Sequence, residues 1–305
     1  MQFSFSEEQR TFQTSMRTFL EHECTPHHVR ALWDTDTGRS PERWTRLAEL
    51  GLLGVLVPLL AGLEGSALAG AWLRRVAEGT ATLAVGHEAN EFVADAHVAD
   101  LLLMQHRDEL HAVPRAHADL EHQPCNDPSR RLFRVSWSPT SETRVARGRE
   151  AAQLLAAALD RGALAAAAQL IGVGQQLVDL AVRYATQREQ FGRPIGSFQA
   201  VKHMLANVAV RLEFARPVVY RAAFSVARDV ATRTVDVSHA KVAAAEAAAQ
   251  AARVALQVHG AMGYTWEVDL HIWMKRAWAL ALAWGSTAWH RERVARVVLD
   301  GASDD

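Results

Sequence analysis

The sequence predicts an α+β protein, mainly α, built as N-terminal helices, a small reduced middle β-sheet segment and a C-terminal antiparallel four-helix bundle. Three observations predict it. Apolar residues recur at helical spacing near the N-terminus and again over the second half of the chain. Between about Thr80 and Arg147 the pattern breaks into short alternating or apolar runs. A Gly-bounded turn, Gly192-Arg193-Pro194-Ile195-Gly196, separates two long amphipathic stretches. The expected divisions are residues 1–78, 79–147 and 148–305.

In the first division, Ser6-Glu7-Glu8-Gln9 has the form of a capping box, and Phe12, Met16 and Phe19/Leu20 follow at helical spacing. Ser40-Pro41 starts a helix with Ser as N-cap and Pro in the first turn. Trp44, Leu47 and Leu50 are its stripe, and Gly51 its stop. The run Leu52 to Leu60, with Pro58, reads as a buried turn. The middle division offers strands near 82–85, 98–104, 109–113 and 131–137, enough for a small antiparallel sheet and short for a free-standing sandwich. In the third, a helix from about Arg149 to Gln187 would run near 60 Å. Phe198, Val201, Leu205, Val208 and Leu212 then place one stripe on one face. Ala-rich seams at 163–168 and 242–252 let helices approach closely, so four helices joined by short turns form a bundle.

Of 305 residues, 49% are hydrophobic and 22% charged, the profile of a globular protein. A formal charge of −1 leaves no basic face for nucleic acid or anionic membrane. The first ten residues lack the basic and apolar regions of a secretory leader, and apolar runs such as Ala163 to Val173 are too short to span a bilayer. Cys24 and Cys125 are two distant thiols with no C-x-x-C, which fits a cytoplasmic protein. The 14 histidines show no ligand spacing, so no metal site is expected.

The run from Arg183 to Gln199 is the most informative. It sets a guanidinium, Arg188, and an aromatic ring, Phe191, at a helix–helix corner, where a planar fork meets phosphate and a ring face stacks. An ordinary αα-hairpin with a surface Arg and a core Phe accounts for the same run. A second run, Gln257-Val258-His259-Gly260-Ala261-Met262-Gly263-Tyr264-Thr265-Trp266-Glu267, follows an Ala-rich helix. Together the two resemble the C-terminal domain of the acyl-CoA dehydrogenase family, over roughly residues 148–300, with weaker similarity over the first 55. The resemblance implies that an R-x-x-F-G turn and a Q-x-x-G-G-x-G-[FY] turn grip the ADP half of FAD across a subunit interface. It assigns Arg188, Phe191, Gln257, Gly260 and Ser286 to FAD; Ala261 departs from the second Gly. It also implies an acyl-CoA substrate and an electron-transfer flavoprotein as acceptor.

Other family features are missing. A T-E-P-like segment and a later K-x-W-I-[TS] segment, which hold the flavin ring, do not occur between Gly79 and Arg147. The reaction needs a carboxylate to remove the proton α to a thioester. Trp284, in Ala283-Trp284-Gly285-Ser286-Thr287, stands where most members carry that Glu, and Gly162 stands at the position a minority use. Asp160, about 200° around the helix from Gly162, is the remaining candidate base. Glu267 reads as a structural residue at a helix start and Arg276 as a bundle ion-pair residue. Trp273, Trp278, Trp284 and Trp289 read as core or subunit contacts, with Trp284 able to line a wide pocket mouth. Three readings follow: a subunit working beside a catalytically complete homologous chain in an α2β2 assembly; a self-sufficient homo-oligomer using Asp160; or a non-catalytic scaffold.

Overall fold

The computed structural model describes residues 5–49, 61–62 and 67–299. Leu50, the Gly51 stop and the Leu52–Leu60 turn expected from sequence lie outside the described residues. Helix α1, Glu7–Glu23, opens with the expected capping box: the Gln9 N–H donates to Ser6 Oγ at 3.2 Å, and the Ser6 N–H donates to Gln9 Oε1 at 3.0 Å. Helix α2, Pro26–Trp33, was not foreseen as a separate element; Thr25 caps it by accepting from the His28 N–H. Ser40 caps α3, Pro41–Glu49, through the Arg43 N–H. Helix α4 covers Ala67–Ala77.

The middle segment holds seven strands: β1 Leu83–Gly86, β2 Val93–Ala94, β3 Leu101–His106, β4 Glu109–Pro114, β5 Asp119–Gln123, β6 Leu132–Ser136 and β7 Arg144–Arg147. They form two sheets, ordered β1-β3-β4-β7 and β2-β6-β5, where the sequence suggested one antiparallel sheet. The β1–β3 pair is parallel. The chain leaves β1 and contributes β2 to the second sheet before returning, and a parallel pair needs such a crossover. Strand β3 is buried on both faces. Leu101 and Leu103 pack with Leu110, Val76 and the α5 residues Ala151, Leu155 and Ala158. Leu102 and Met104 pack with Val93, Val113 and Phe133 between the sheets. The small sandwich is thus completed by helices on its outer face.

Helix α5, Gly148–Gln187, is the 40-residue rod that the pattern predicted. It is followed by the two-residue strands β8 and β9 (Glu189–Gln190, Arg193–Pro194), α6 (Gln199–Arg228), α7 (Arg233–His259), α8 (Leu270–Leu282) and α9 (Thr287–Leu299). One core runs through the bundle, from Ala163, Ala167 and Leu170 of α5 to Val208 and Leu212 of α6 and the alanines of α7. Gly174 explains one close approach, because a methyl there would lie 2.6 Å from Leu212. Helix α5 is long and apolar enough to cross a membrane, yet 56% of its apolar window is buried within the protein.

Candidate functional site

Both sequence motifs sit at one end of the bundle. Helix α5 ends at Arg188, whose N–H donates to Tyr184 O at 2.8 Å and whose carbonyl accepts from the Ile195 N–H at 2.8 Å. Between β8 and β9, Phe191 and Gly192 both have positive φ, +56° and +73°, as a two-residue type I′ hairpin turn requires. The turn lifts Phe191 clear of the protein, leaving it 93% exposed; its ring meets Phe198 edge-on at 6.1 Å. This is not the core Phe of an ordinary αα-hairpin. The exposed Arg188 guanidinium has no ion pair among the described residues.

A stack between Tyr184 and His259, with ring centres 4.4 Å apart, ties this corner to the C-terminus of α7. His259 donates from Nδ1 to Ala255 O at 2.7 Å, and burial lowers its pKa. Gly260 then turns at φ +58°, ψ −136°, a conformation open to glycine, and nothing lies within 4 Å of where a Cβ would be. Gln257 is exposed one turn before it. Ala261 has no positive φ, so the departure from the second Gly introduces no backbone strain. Arg188, Phe191, Gln257 and Gly260 therefore share one uncovered end. Ser286 does not join them. It lies beyond the far end of α8, where its hydroxyl caps α9 through the Trp289 N–H at 3.2 Å. There it borders a cleft of about 560 Å³ with Asn90, Phe92, Cys125, Arg130 and Leu282.

The turn that leads to Ser286 is tightly held. Trp284 and Gly285 have φ +57° and +96°. For a tryptophan this costs about 1–3 kcal/mol. His290, fully buried, has its Nε2–H donate to Trp284 O at 2.9 Å, while its Nδ1 pairs with Ser238 Oγ at 3.0 Å. A carbonyl only accepts, so Nε2 carries the proton and the Ser238 hydroxyl donates. Burial pushes the His290 pKa down to about 4, which keeps this neutral tautomer at physiological pH. Lys241, also without exposed surface, donates to Ala281 O at 2.8 Å and Gly285 O at 3.2 Å; burial and the Arg130 charge lower its pKa to about 8. From the sheet side, Asn90 Oδ1 accepts from the Gly285 N–H at 3.5 Å, and Arg130 donates to Ala279 O at 2.7 Å.

The two positions where the resemblance would put a base meet face to face. A methyl group on Gly162 would overlap the six-membered side of the Trp284 indole. Trp284 is therefore not at a wide pocket mouth; it packs on α5 and the bundle core. Asp160 does not have the geometry expected of a base. It is 0% exposed, with Oδ2 at 2.9 Å from Arg233 Nε and Oδ1 at 2.7 Å from Arg293 Nη1. Two guanidiniums occupy both carboxylate oxygens, so neither oxygen is free to reach a substrate.

Arg276 pairs with the buried Asp127 at 2.9 Å, joining α8 to the loop before β6 rather than to another bundle helix. Glu267 is exposed; the N-cap of α8 is Asp269, which pairs with Arg30. Sequence reasoning missed Lys241, His290, Ser238 and Arg130. The one available signal was Lys241 itself, a lone charge within the Ala-rich run from 240 to 245.

The profile of the acyl-CoA dehydrogenase C-terminal domain matches residues 147–299, and that of the N-terminal domain matches residues 6–99. The chain is 30% identical to the acyl-CoA dehydrogenase IpdE2 of Mycolicibacterium smegmatis, over 89% of this chain and 93% of that protein. Its fold resembles butyryl-CoA dehydrogenase from Megasphaera elsdenii, with TM-score 0.81 and 18% identity over 98% of this chain and 100% of the other. It also resembles a chain of the ChsE4-ChsE5 complex from Mycobacterium tuberculosis, with TM-score 0.78 and 23% identity over 99% and 100%. This chain belongs to the acyl-CoA dehydrogenase family. Its class is that of FAD-dependent oxidoreductases acting on the CH–CH bond of acyl-CoA thioesters.

The residues fit FAD in one half. An unpaired Arg188, an uncovered Phe191 and an open Gly260 backbone are suited to the ADP portion of a dinucleotide presented from outside the chain. At the other end of α8, Ser286 and Asn90 border a cleft, and the ring-holding segments that the resemblance implies do not occur between Gly79 and Arg147.

Proposed function

We propose that this chain is a subunit of an acyl-CoA dehydrogenase assembly, giving the ADP-side half of a shared FAD site and depending on a homologous partner chain for the catalytic base. The observation that carries this reading is the interlocking of Trp284 with Gly162: both base positions are filled by groups that cannot accept a proton. Bound FAD supplies a two-electron acceptor for the α,β-dehydrogenation. Toward it, Arg188 neutralises pyrophosphate charge and Phe191 covers the adenosine side. Gln257 hydrogen-bonds, and Gly260 lets the backbone approach.

The partner then supplies the ring pocket and the carboxylate, in an α2β2 arrangement. An electron-transfer flavoprotein is the acceptor, and the assembly works in the cytoplasm in fatty-acid or steroid degradation. The ion pairs of Asp160 weigh against a self-sufficient homo-oligomer. The exposure of Phe191 and the freedom of Arg188 weigh against a scaffold, which has no use for them.

Expression with and without the partner tests the reading. Alone, the chain is expected to purify colourless and to leave an electron-acceptor dye unreduced with acyl-CoA. Co-expressed with a homologous, Glu-bearing acyl-CoA dehydrogenase chain from the same genome, it should co-purify yellow and active. A yellow, dye-reducing preparation of this chain alone would refute the proposal.

A further inference from the structure

We infer that Trp284 is a plug: its indole fills the thioester end of this chain's own acyl site, so that this chain binds no acyl group itself. The inference deepens the shared-site reading and rests on it for the location of the thioester end. A missing base alone would leave an empty but accessible pocket, able to bind acyl-CoA without reacting. The contact geometry says otherwise. Even a methyl group on Gly162 would overlap the indole, so no room remains between α5 and the turn for a substrate carbon. The indole packs with the bundle core and does not border the open cleft beside Ser286.

The surrounding hydrogen bonds fix the backbone turn that carries the indole. Trp284 and Gly285 are both at positive φ, and the indole itself is held by its packing against α5 and the bundle core. The Trp284 carbonyl is held by His290, which is itself fixed by Ser238. The Gly285 carbonyl is held by Lys241, and the Gly285 N–H by Asn90. Gly285 cannot be remodelled cheaply either, because a Cβ there would stand 2.9 Å from His290 Nε2. Opening the turn would strand Lys241 and His290, both without exposed surface, and a buried polar group left unpaired is costly. Trp284 thus sets which of the two clefts in a mixed assembly takes substrate.

The full chain, purified alone, is titrated calorimetrically with octanoyl-CoA and with coenzyme A. The wild type is expected to bind the two equally, because no acyl pocket is open. Trp284→Ala should bind octanoyl-CoA at least about tenfold more tightly than coenzyme A, the worth of burying two or so methylenes. A tenfold octanoyl preference in the wild type, or no preference in a folded Trp284→Ala, would overturn the plug.

Should Trp284→Ala not fold, Gly162→Ala decides, made once in the wild type and once together with Trp284→Phe. Gly162→Ala is expected to lower the unfolding midpoint of the wild type. It should cost markedly less in the Trp284→Phe background, where a single six-membered ring replaces the indole. Equal losses in both backgrounds would overturn the contact. None of these residues belongs to the ADP-side end, so the flavin content of the co-purified complex reports the shared-site reading separately.

Discussion

Asp160→Asn is expected to lower unfolding stability by about 3 kcal/mol while leaving turnover per bound flavin within about twofold in the assembled complex. The side chain is 0% exposed and bridges Arg233 of α7 to Arg293 of α9, so one carboxylate joins three helices. Asparagine keeps the shape but removes the charge, and its amide nitrogen faces one guanidinium with a donor. Arg233 retains Asp229 as a second partner, whereas Arg293 keeps, among the described residues, Thr234 and the Trp289 ring face. The cost therefore comes mainly from leaving Arg293, whose side chain is only 15% exposed, without a carboxylate. Denaturant midpoints with an unchanged slope measure it. A catalytic base would give the opposite pattern, with little change in midpoint and a loss of turnover by orders of magnitude.

Arg188→Ala is expected to weaken FAD retention by the co-purified complex about 10- to 100-fold, the range for losing charge-assisted hydrogen bonds to phosphate. Flavin fluorescence released on dilution follows it. The unfolding midpoint should not move, because the guanidinium is exposed and has no ion pair among the described residues. Arg188→Lys should recover part of the loss, since an ammonium keeps the charge but not the planar fork. A scaffold that never meets flavin predicts no change for either variant.

The sequence made the long-range plan legible where local signals are strong. The capping box at Ser6 rests on four adjacent residues and the 40-residue α5 on a sustained helical period, whereas the tight turn falls at Phe191-Gly192, at the start of the expected Gly192–Gly196 segment. The sheet arrangement was less legible. Strands β2 and β5 are short or largely solvated, so they carry no alternation, and the parallel β1–β3 pairing depends on a crossover that no local pattern encodes. At the site, the resemblance singled out Trp284 and Gly162 as substitutions, but only their contact shows that the two complement each other. The hold on the turn pairs Lys241 and Ser238 with groups 40 to 52 positions away in sequence, beyond any motif. Asp160 misled for a related reason: its partners Arg233 and Arg293 lie 73 and 133 positions away, so no local pattern announced its pairing in space.

The central claim is that this chain lends the ADP-side half of a flavin site to a neighbour and holds no complete site itself. Native mass spectrometry of the complex co-purified with its homologous partner, read together with flavin absorbance, tests it most directly. The account predicts a mixed assembly holding one FAD for every two chains; one FAD for every chain would contradict it.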